Sequence, residues 1–294
     1  MQTGLEQAKN MTVGFIGLGL IGGSIAKALK KRLGVRVLAY DTNEQVLLTA
    51  RHNDIADETV SEIGPAFGQC DIVFLSAPAS HNLFNMRIVL PHLSPDAILT
   101  DVSSVKLPIH RLADDARAGL RFVGGHPMTG KEHSGLQYAE ASLLQGARYV
   151  LTTSPKTDGL RVERMKQLVT AMGAVPFLMQ PEEHDRAVAA VSHLPHIVSA
   201  ALVGLVAEND DAKATMRLLA AGGFKDLTRI SSSPPELWRQ ITLLNAPQIS
   251  LLLDELIRKL QQVGKSLHRS DQDALMRFFE EARDYRNTIE EHKE

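Results

Sequence analysis

The first 180 residues of the chain alternate short apolar runs with longer amphipathic stretches. The apolar runs are nearly continuous, which is typical of strands that helices cover on both faces of a sheet. Strand and helix patterns in alternation predict an α/β fold with a mostly parallel sheet. The runs with this pattern are VGFIG, VRVLAY, DIVFLSAP, AILTDV, RFVGGHP, ARYVLTT and VPFLM.

After Pro181 the strand pattern stops, and the remaining sequence has helical periodicity. We therefore expect a Rossmann-type domain over residues 11–180, an all-helical dimerisation domain over residues 181–294 and an N-terminal extension over residues 1–10. The segment from Ile197 to Val206 is apolar on nearly every side, and such a helix needs burial all round. In a helical part of about 110 residues this indicates a subunit interface as well as a core, and hence a homodimer.

A glycine-rich turn, GLGLIGGS, follows the first apolar run and opens a helix. Gly17 permits a tight turn, Gly19 lets the backbone approach a pyrophosphate, and Gly22 permits close helix packing. The helix N-terminus offers amide donors and the positive end of its dipole to phosphate. The turn therefore predicts a dinucleotide site, with Leu20 and Ile21 as neighbouring cofactor contacts.

Asp41 ends the second apolar run, about twenty residues after the glycines, where a ribose-binding acid is expected. Its carboxylate would accept hydrogen bonds from a free ribose diol and repel a 2′-phosphate. No Lys or Arg occurs in residues 42–45, so the pattern predicts NAD in preference to NADP. Ser76, at the end of the third run, is a further candidate cofactor contact. The alternative is a glycine turn from another kind of α/β protein with an incidental acid.

The composition narrows the class of protein. The chain has 294 residues, 44% of them hydrophobic and 22% charged, with a formal net charge of −2. We expect no nucleic-acid partner, because there is no basic tract, and no membrane partner, because no uninterrupted apolar run approaches about 20 residues. The start of the chain lacks the apolar core of a signal peptide. The single cysteine, Cys70, excludes an internal disulfide and suits a reducing cytoplasm.

Histidines provide the first candidate chemistry. His126 ends the run RFVGG at a strand end, where an ordinary pKa of about 6.5 suits a general base, although a plain loop histidine is the alternative. His193 and His196 are three residues apart and share a helix face. No third ligand follows at a metal-binding spacing, so we expect no metal. A contact with a substrate carboxylate or carbonyl is the better functional interpretation, and a core histidine is the alternative for each.

Hydroxyl and charged residues add further candidates. Ser103 and Ser104 precede a predicted helix, where hydroxyls commonly act as caps, although one of them can also face the cofactor crevice. Lys106 is interpreted as a local structural contact. Asp226 and Arg229 are three residues apart, which permits a local ion pair on a helix. An arginine held by an acid is also a good bidentate receptor for a carboxylate.

Six motifs occur together in a fixed order, and Trp238 follows the last of them. They are GLGLIGGS, YD, TDVSSVK, GGHPMTGKEHSG, SHLPH and GGFKDLTRI. In this combination the chain resembles the prephenate dehydrogenase family, from about Val13 through the final helices. The resemblance implies NAD-dependent oxidative decarboxylation of prephenate to 4-hydroxyphenylpyruvate in tyrosine biosynthesis. Arogenate dehydrogenase and a dual-substrate cyclohexadienyl dehydrogenase are the close alternatives.

The resemblance also implies roles for individual residues. His126 would take the proton of the ring 4-hydroxyl as the substrate is oxidised. Ser104 would bridge this histidine, the substrate hydroxyl and the nicotinamide. The remaining residues placed at the substrate are His196, the carboxylate-binding Arg229, the acids Glu132 and Asp226 that pair with this arginine, and the aromatic Trp238. Lys131 departs from the small or polar residues of relatives.

Many members of the family carry an additional regulatory or chorismate mutase domain, and both are expected to be absent here. Inhibition by tyrosine would then act at or near the substrate site. Two competing interpretations are a β-hydroxyacid dehydrogenase, which is expected to use a lysine of the helical half, and a non-catalytic NAD sensor. A sensor would need neither His126 nor a carboxylate receptor.

Overall fold

The computed structural model describes residues 11–131 and 133–290. The expected N-terminal extension, residues 1–10, and the candidate Glu132 lie outside the described residues. Two compact units follow each other along the chain, one ending at Asn245 and one beginning at Ala246.

The strands of the described ranges form one eight-stranded sheet. They are β1 (Thr12–Ile16), β2 (Arg36–Tyr40), β3 (Glu58–Val60), β4 (Ile72–Leu75), β5 (Ile98–Asp101), β6 (Phe122–Pro127), β7 (Arg148–Thr152) and β8 (Val175–Met179). Their order is β3-β2-β1-β4-β5-β6-β7-β8. Neighbouring strands are parallel except β6 and β7, which are antiparallel. The predicted α/β class and mostly parallel sheet are confirmed. The sequence analysis missed β3, because this strand has three residues and no apolar run.

α-Helices connect most of the strands, and further α-helices follow the last strand. In the first unit they are α1 (Leu20–Leu33), α2 (Glu44–His52), α3 (Ala79–Val89), α4 (Leu107–Asp115), α5 (Gly159–Ala171), α6 (Pro181–Val188), α7 (Leu194–Asn209), α8 (Thr215–Leu219), α9 (Gly222–Thr228) and α10 (Pro235–Leu244). The second unit consists of α11 (Ala246–His268) and α12 (Gln272–Glu290). A π-helical turn, Ala189–His193, joins α6 to α7 without a break.

Both faces of the central strands are buried, which explains their nearly continuous apolar runs, whereas β8 at the edge is largely exposed. On one face, the rings of Phe15 and Phe74 stack with their centroids 5.1 Å apart. On the other face, Ile16 and Val73 belong to a second buried cluster. The sheet is therefore a rigid platform that aligns the carboxyl ends of its strands.

The strand order reverses at β1, which lies between β2 and β4. In open α/β sheets the ligand crevice lies at such a switch point, outside the carboxyl ends of the strands. Gly17 follows β1 with φ +99°, and a Cβ on it would lie 2.6 Å from Ala77 N. A Cβ on Gly22 would lie 2.6 Å from Gly17 O, whereas a Cβ on Gly19 would meet no atom within 4 Å. Packing therefore requires glycine at 17 and 22, and position 19 faces open space.

The sheet ends at Met179 and α6 begins at Pro181. The predicted domain boundary at residue 180 coincides with this change from sheet to helices. The first compact unit nevertheless continues to Asn245, so residues 181–245 pack with the sheet. The division into two domains at residue 180 stays a prediction.

The continuous helical segment Pro181–Asn209 is long and apolar enough to cross a membrane, by length and composition only. A core helix of a soluble protein meets the same test. Part of the apolar surface is uncovered in a single chain, since Val203 is 37% and Leu205 58% exposed. This exposure agrees with the expected subunit interface on the same segment.

We expect Gly17→Ala to lower the free energy of unfolding by about 2 kcal/mol or more, because it adds a Cβ against backbone and forces a left-handed φ on alanine. Gly19→Ala is the matched control, and it should cost less than about 1 kcal/mol at this helix N-cap. Urea denaturation of both variants measures the difference. Equal losses would contradict the packing role assigned to Gly17.

Candidate active site

His126 lies on β6, one residue before the strand ends, and its side chain is partly exposed. Its Nδ1 lies 2.8 Å from Nε2 of His184, a fully buried residue of α6. His184 Nδ1 in turn lies 2.8 Å from Oδ1 of Asp185. A sheet residue and two helix residues thus form one hydrogen-bonded chain that ends on a carboxylate.

Asp185 is buried, and its carboxylate binds two backbone amides as well as His184. Its Oδ1 accepts a hydrogen bond from Lys106 N at 2.7 Å, and its Oδ2 accepts one from Leu107 N at 2.8 Å. These amides open α4, so the Asp185 carboxylate caps that helix and benefits from its positive end. The expectation that Ser103 or Ser104 caps this helix is wrong, because α4 begins later, after Lys106, without a side-chain cap of its own.

The direction of the hydrogen bonds follows from the carboxylate, which can only accept. His184 Nδ1–H donates to Asp185, so His184 Nε2 carries a lone pair. His126 Nδ1–H donates to that lone pair, which leaves Nε2 of His126 without a proton. This assignment of tautomers rests on the hydrogen-bond network. The arrangement therefore presents a basic nitrogen at the carboxyl end of β6.

Burial keeps these histidines neutral. It lowers the pKa of His126 well below its ordinary value, and the positive charge of Lys106 lowers it further. Burial also lowers the pKa of His184, against the opposing effect of Asp185. Loss of solvent lowers the pKa of His110, a buried residue of α4, to about 4, and that of His193 to about 4.

His193 and His196 face a common aromatic residue, Trp238 of α10. The His196 ring stacks on the indole with 3.4 Å between centroids, and the His193 ring meets it edge-on at 6.0 Å. His196 Nδ1 donates to Ser192 O at 2.9 Å, which leaves Nε2 as an acceptor. Burial lowers the pKa of His196, and the charge of Arg229 contributes to this shift. Two of the helical residues expected at the substrate, His196 and Trp238, are therefore in contact, and Arg229 lies close enough to affect the pKa of His196.

The serines after β5 lie at the same edge of the sheet. Ser103 is buried; its N–H donates to Asp101 Oδ2, and its hydroxyl accepts from Asn82 Nδ2 at 3.0 Å. Asn82 Nδ2 also donates to Leu75 O, which joins the ends of β4 and β5. Ser104 is half-buried beside them, and its role toward substrate and nicotinamide stays a prediction.

The predicted cofactor residues surround the crevice at β1, β2 and β4. Asp41 Oδ2 accepts from Leu18 N at 2.8 Å and its Oδ1 accepts from Asn43 N at 2.9 Å, so both carboxylate oxygens are held at the end of β2. The Ser76 hydroxyl donates to Gly17 O at 2.6 Å and ties β4 to the glycine turn. Leu20 and Ile21 open α1 and are half-buried. Their contacts with a cofactor stay predictions.

Asp226 lies in α9, and Arg229 follows the end of that helix. Both residues are exposed. Lys131 forms an ion pair with Glu140 at 2.9 Å, at the surface beside the loop after β6. The ionic network that the family resemblance implies for Arg229 includes Glu132, outside the described residues, and stays a prediction.

The sequence analysis missed His184 and Asp185. Both stand in a polar stretch at the start of a predicted helix, so nothing local distinguishes them. Helical spacing gives one usable signal, because His184 falls between Pro181 and Val188 on the buried side of α6. A histidine on the apolar side of a helix must find a buried partner.

The glycine turn, the switch point and the hydrogen-bonded histidines are typical of a dinucleotide-dependent dehydrogenase. Comparison with known families specifies the class further. The model of the prephenate dehydrogenase nucleotide-binding domain matches residues 25–178, and that of the prephenate dehydrogenase dimerization domain matches residues 180–281. The chain belongs to the prephenate dehydrogenase family.

Individual proteins of known name agree with this membership. The chain is 36% identical over 289 residues to the prephenate dehydrogenase of Bacillus subtilis, covering 97% of this chain and 77% of that protein. The crystal structure of prephenate dehydrogenase from A. aeolicus, in complex with hydroxyphenyl propionate and NAD+, matches with a TM-score of 0.89 at 32% identity, over 95% of this chain and 98% of that one. The Synechocystis arogenate dehydrogenase matches with a TM-score of 0.85 at 32% identity, over 95% and 100%.

We expect the free energy of unfolding to fall as the pH is lowered from about 7 to about 4, partly because of His110 and His193. In the unfolded chain these imidazoles bind protons below a pKa of about 6.5, whereas in the folded protein they do so only below a pKa of about 4. Unfolding therefore takes up protons in this pH range. By about pH 4, this proton uptake at each histidine has lowered the free energy of unfolding by on the order of 3 kcal/mol.

His110→Gln isolates one of these contributions. In urea denaturation at a series of pH values, the variant should take up about one proton fewer on unfolding near pH 5. An unchanged pH slope would show that His110 does not bind protons differently in the folded and unfolded states.

Proposed function

We propose that the chain is an NAD-dependent prephenate dehydrogenase that converts prephenate to 4-hydroxyphenylpyruvate and CO2. The observation that carries the proposal is the series of hydrogen bonds from His126 through His184 to Asp185. It presents a neutral base at the carboxyl end of β6, on the same edge of the sheet as the glycine turn after β1. The family membership supplies the substrate class.

In the proposed reaction, His126 Nε2 accepts the proton of the ring 4-hydroxyl. The imidazole becomes positively charged, and the Asp185 carboxylate stabilises this charge through the hydrogen bonds that link it to His184 and His184 to His126. NAD, when bound, supplies the hydride acceptor for C4. The resulting C4 carbonyl is an electron sink for the ring carboxylate, so CO2 is lost and the ring becomes aromatic. The electron pair comes to rest on the former carbonyl oxygen, and His126 returns its proton to this phenolate, which regenerates the neutral base. The protein mainly positions the groups and accepts the proton.

Prephenate carries two carboxylates, and the helical part offers receptors for them. We assign Arg229 to one substrate carboxylate, because its planar guanidinium can bind both oxygens. His196 is assigned to a further polar contact through its Nε2, and Trp238 holds the imidazole in place by stacking. Asp226 and Glu132 are proposed to set the position of Arg229.

The residues at the switch point fit NAD. The open space beside Gly19 gives a pyrophosphate room to approach the backbone. Asp41 places a fixed carboxylate at the end of β2, which suits a ribose diol and disfavours a 2′-phosphate. Gly17, Leu20, Ile21, Gly22, Ser76 and Ser104 complete the proposed contacts.

We also propose a homodimer. The match to the dimerization domain supports it, and so do the uncovered apolar side chains of α7 and α8, where Leu218 is 79% exposed. A groove of about 810 Å³ on this part of the chain is lined by residues such as Val203, Met216 and Phe224. A second copy would cover these surfaces.

Two finer points are proposed with the function. Tyrosine would inhibit by competing at the substrate site, because its hydroxyphenyl ring and carboxylate resemble those of the product. The enzyme would act in the cytoplasm, and the single cysteine, Cys70, which is buried, suits a reducing compartment.

NADH formation at 340 nm, followed with NAD or NADP and with prephenate or arogenate, tests the function directly. We expect turnover with NAD and prephenate and a much lower kcat/KM with NADP, because Asp41 repels the 2′-phosphate. Turnover with arogenate but not with prephenate would indicate an arogenate dehydrogenase, which is the name of the Synechocystis relative. No turnover with either substrate, together with tight NAD binding, would favour the sensor.

We expect His126→Asn to lower kcat by about 100-fold or more, because general base catalysis contributes typically this much. NAD binding should stay within about twofold, since His126 lies outside the glycine turn that approaches the pyrophosphate. Steady-state kinetics and NAD titration by fluorescence measure the two effects. Unchanged turnover would remove His126 from the mechanism.

A further inference from the structure

A buried ion pair contacts Gly125, the residue immediately before the proposed base, His126. Lys106 Nζ lies 2.5 Å from Asp101 Oδ2, and both side chains are fully buried. A buried pair of this kind adds little to stability, because removing two charges from water costs about as much as their attraction returns. Its position therefore calls for a role other than stability.

The pair holds the peptide that precedes His126. Lys106 Nζ donates to Gly125 O at 2.6 Å, and Gly125 N–H donates to Asp101 Oδ1 at 3.1 Å. Both polar groups of Gly125 are thus bound by the two members of one ion pair. The close fit leaves little room for movement, since a Cβ on Gly125 would lie 2.5 Å from Asp101 O and 2.8 Å from the Tyr149 hydroxyl oxygen.

Lys106 also reaches the other support of His126. Its backbone N–H donates to Asp185 Oδ1, the same oxygen that accepts from His184 Nδ1. Lys106 therefore contacts both supports of His126. Its side chain binds the backbone before His126, and its backbone N–H binds the Asp185 carboxylate, which holds the His126 imidazole through His184.

We propose that Asp101 and Lys106 are positioning residues that fix the direction of the His126 imidazole by holding the Gly125 peptide. The proposal rests on the proposed function for the role of His126. A misplacement of about 1 Å in a reacting group can cost about 100-fold in rate, so a rigid backbone hold at this point affects the chemical step.

The double variant Asp101→Asn/Lys106→Met tests the proposal, because it keeps the side-chain volumes and leaves no unpaired buried charge. The methionine side chain that replaces Lys106 cannot donate to Gly125 O. We expect kcat to fall by about 10- to 100-fold while the KM values for prephenate and NAD change less than about threefold, as for an interaction that acts only on the transition state. A folded double variant with the kcat of the parent would overturn the proposal.

Lys30→Met is the matched control. Lys30 also forms ion pairs with two aspartates, at 2.9 Å to Asp54 and 2.8 Å to Asp57, but it lies on α1 away from β6. The same substitution there should leave kcat unchanged. An equal loss of kcat in Lys30→Met would show that loss of any lysine ion pair slows the enzyme, and would overturn the specific role of Lys106.

A second readout does not depend on turnover. In protein labelled with 15N-histidine, the His126 Nδ1 proton in its bond to His184 should give a downfield imidazole signal that His126→Asn removes. We expect the double variant to lose or shift this signal. An unchanged signal would overturn the proposal even if the parent does not oxidise prephenate, so the two failures are distinguishable.

Asp101→Asn/Lys106→Gln covers the case in which the first double variant does not fold, because it also leaves no unpaired buried charge. The asparagine amide keeps an acceptor for Gly125 N–H, and a neutral glutamine amide holds Gly125 O more weakly than the lysine ammonium does. We expect kcat to fall several-fold with little change in KM. A kcat equal to that of the parent would overturn the proposal.

Discussion

The carboxylate of Asp185 is the point on which the arrangement of the site depends. It satisfies two amides at the start of α4 and accepts the Nδ1 proton of His184. One buried charge thus joins the helix after β5 to the helix after the sheet. Asn245 Nδ2 donates to the backbone oxygen of Asp185, which brings the end of α10 to the same place. These bonds explain why the sheet and the helices up to Asn245 form one compact unit.

The site combines a neutral base with fixed charges of both signs. Lys106 discourages protonation of His126 in the resting enzyme, while Asp185 stabilises a positive charge that arrives through His184. The base is therefore ready to accept a proton and has a partner for the charge that results. His126, His184 and Asp185 are all buried or half-buried, so little solvent rearrangement accompanies the proton transfer to His126.

Features that depend on local sequence were predictable, and features that depend on distant contacts were not. The glycine turn follows from φ and close packing within a few residues, so Gly17 and Gly22 could be assigned from the motif alone. The start of α4 could not, because its cap comes from Asp185, almost 80 residues later. The sequence also singled out His126 by its place at a strand end. Only helical spacing pointed to His184, because its partner lies on β6, 58 residues earlier.

The π-helical turn at Ala189–His193 has a consequence for the phase of the long helical segment. A π-turn is a one-residue insertion into an α-helix, and one residue corresponds to about 100° of rotation. Every side chain after the turn, including His196, is therefore rotated by that angle relative to α6. Deletion of a single residue here would keep the helix but point His196 away from Trp238. One extra residue thus sets the angle about the helix axis between His184 on α6 and His196 on α7.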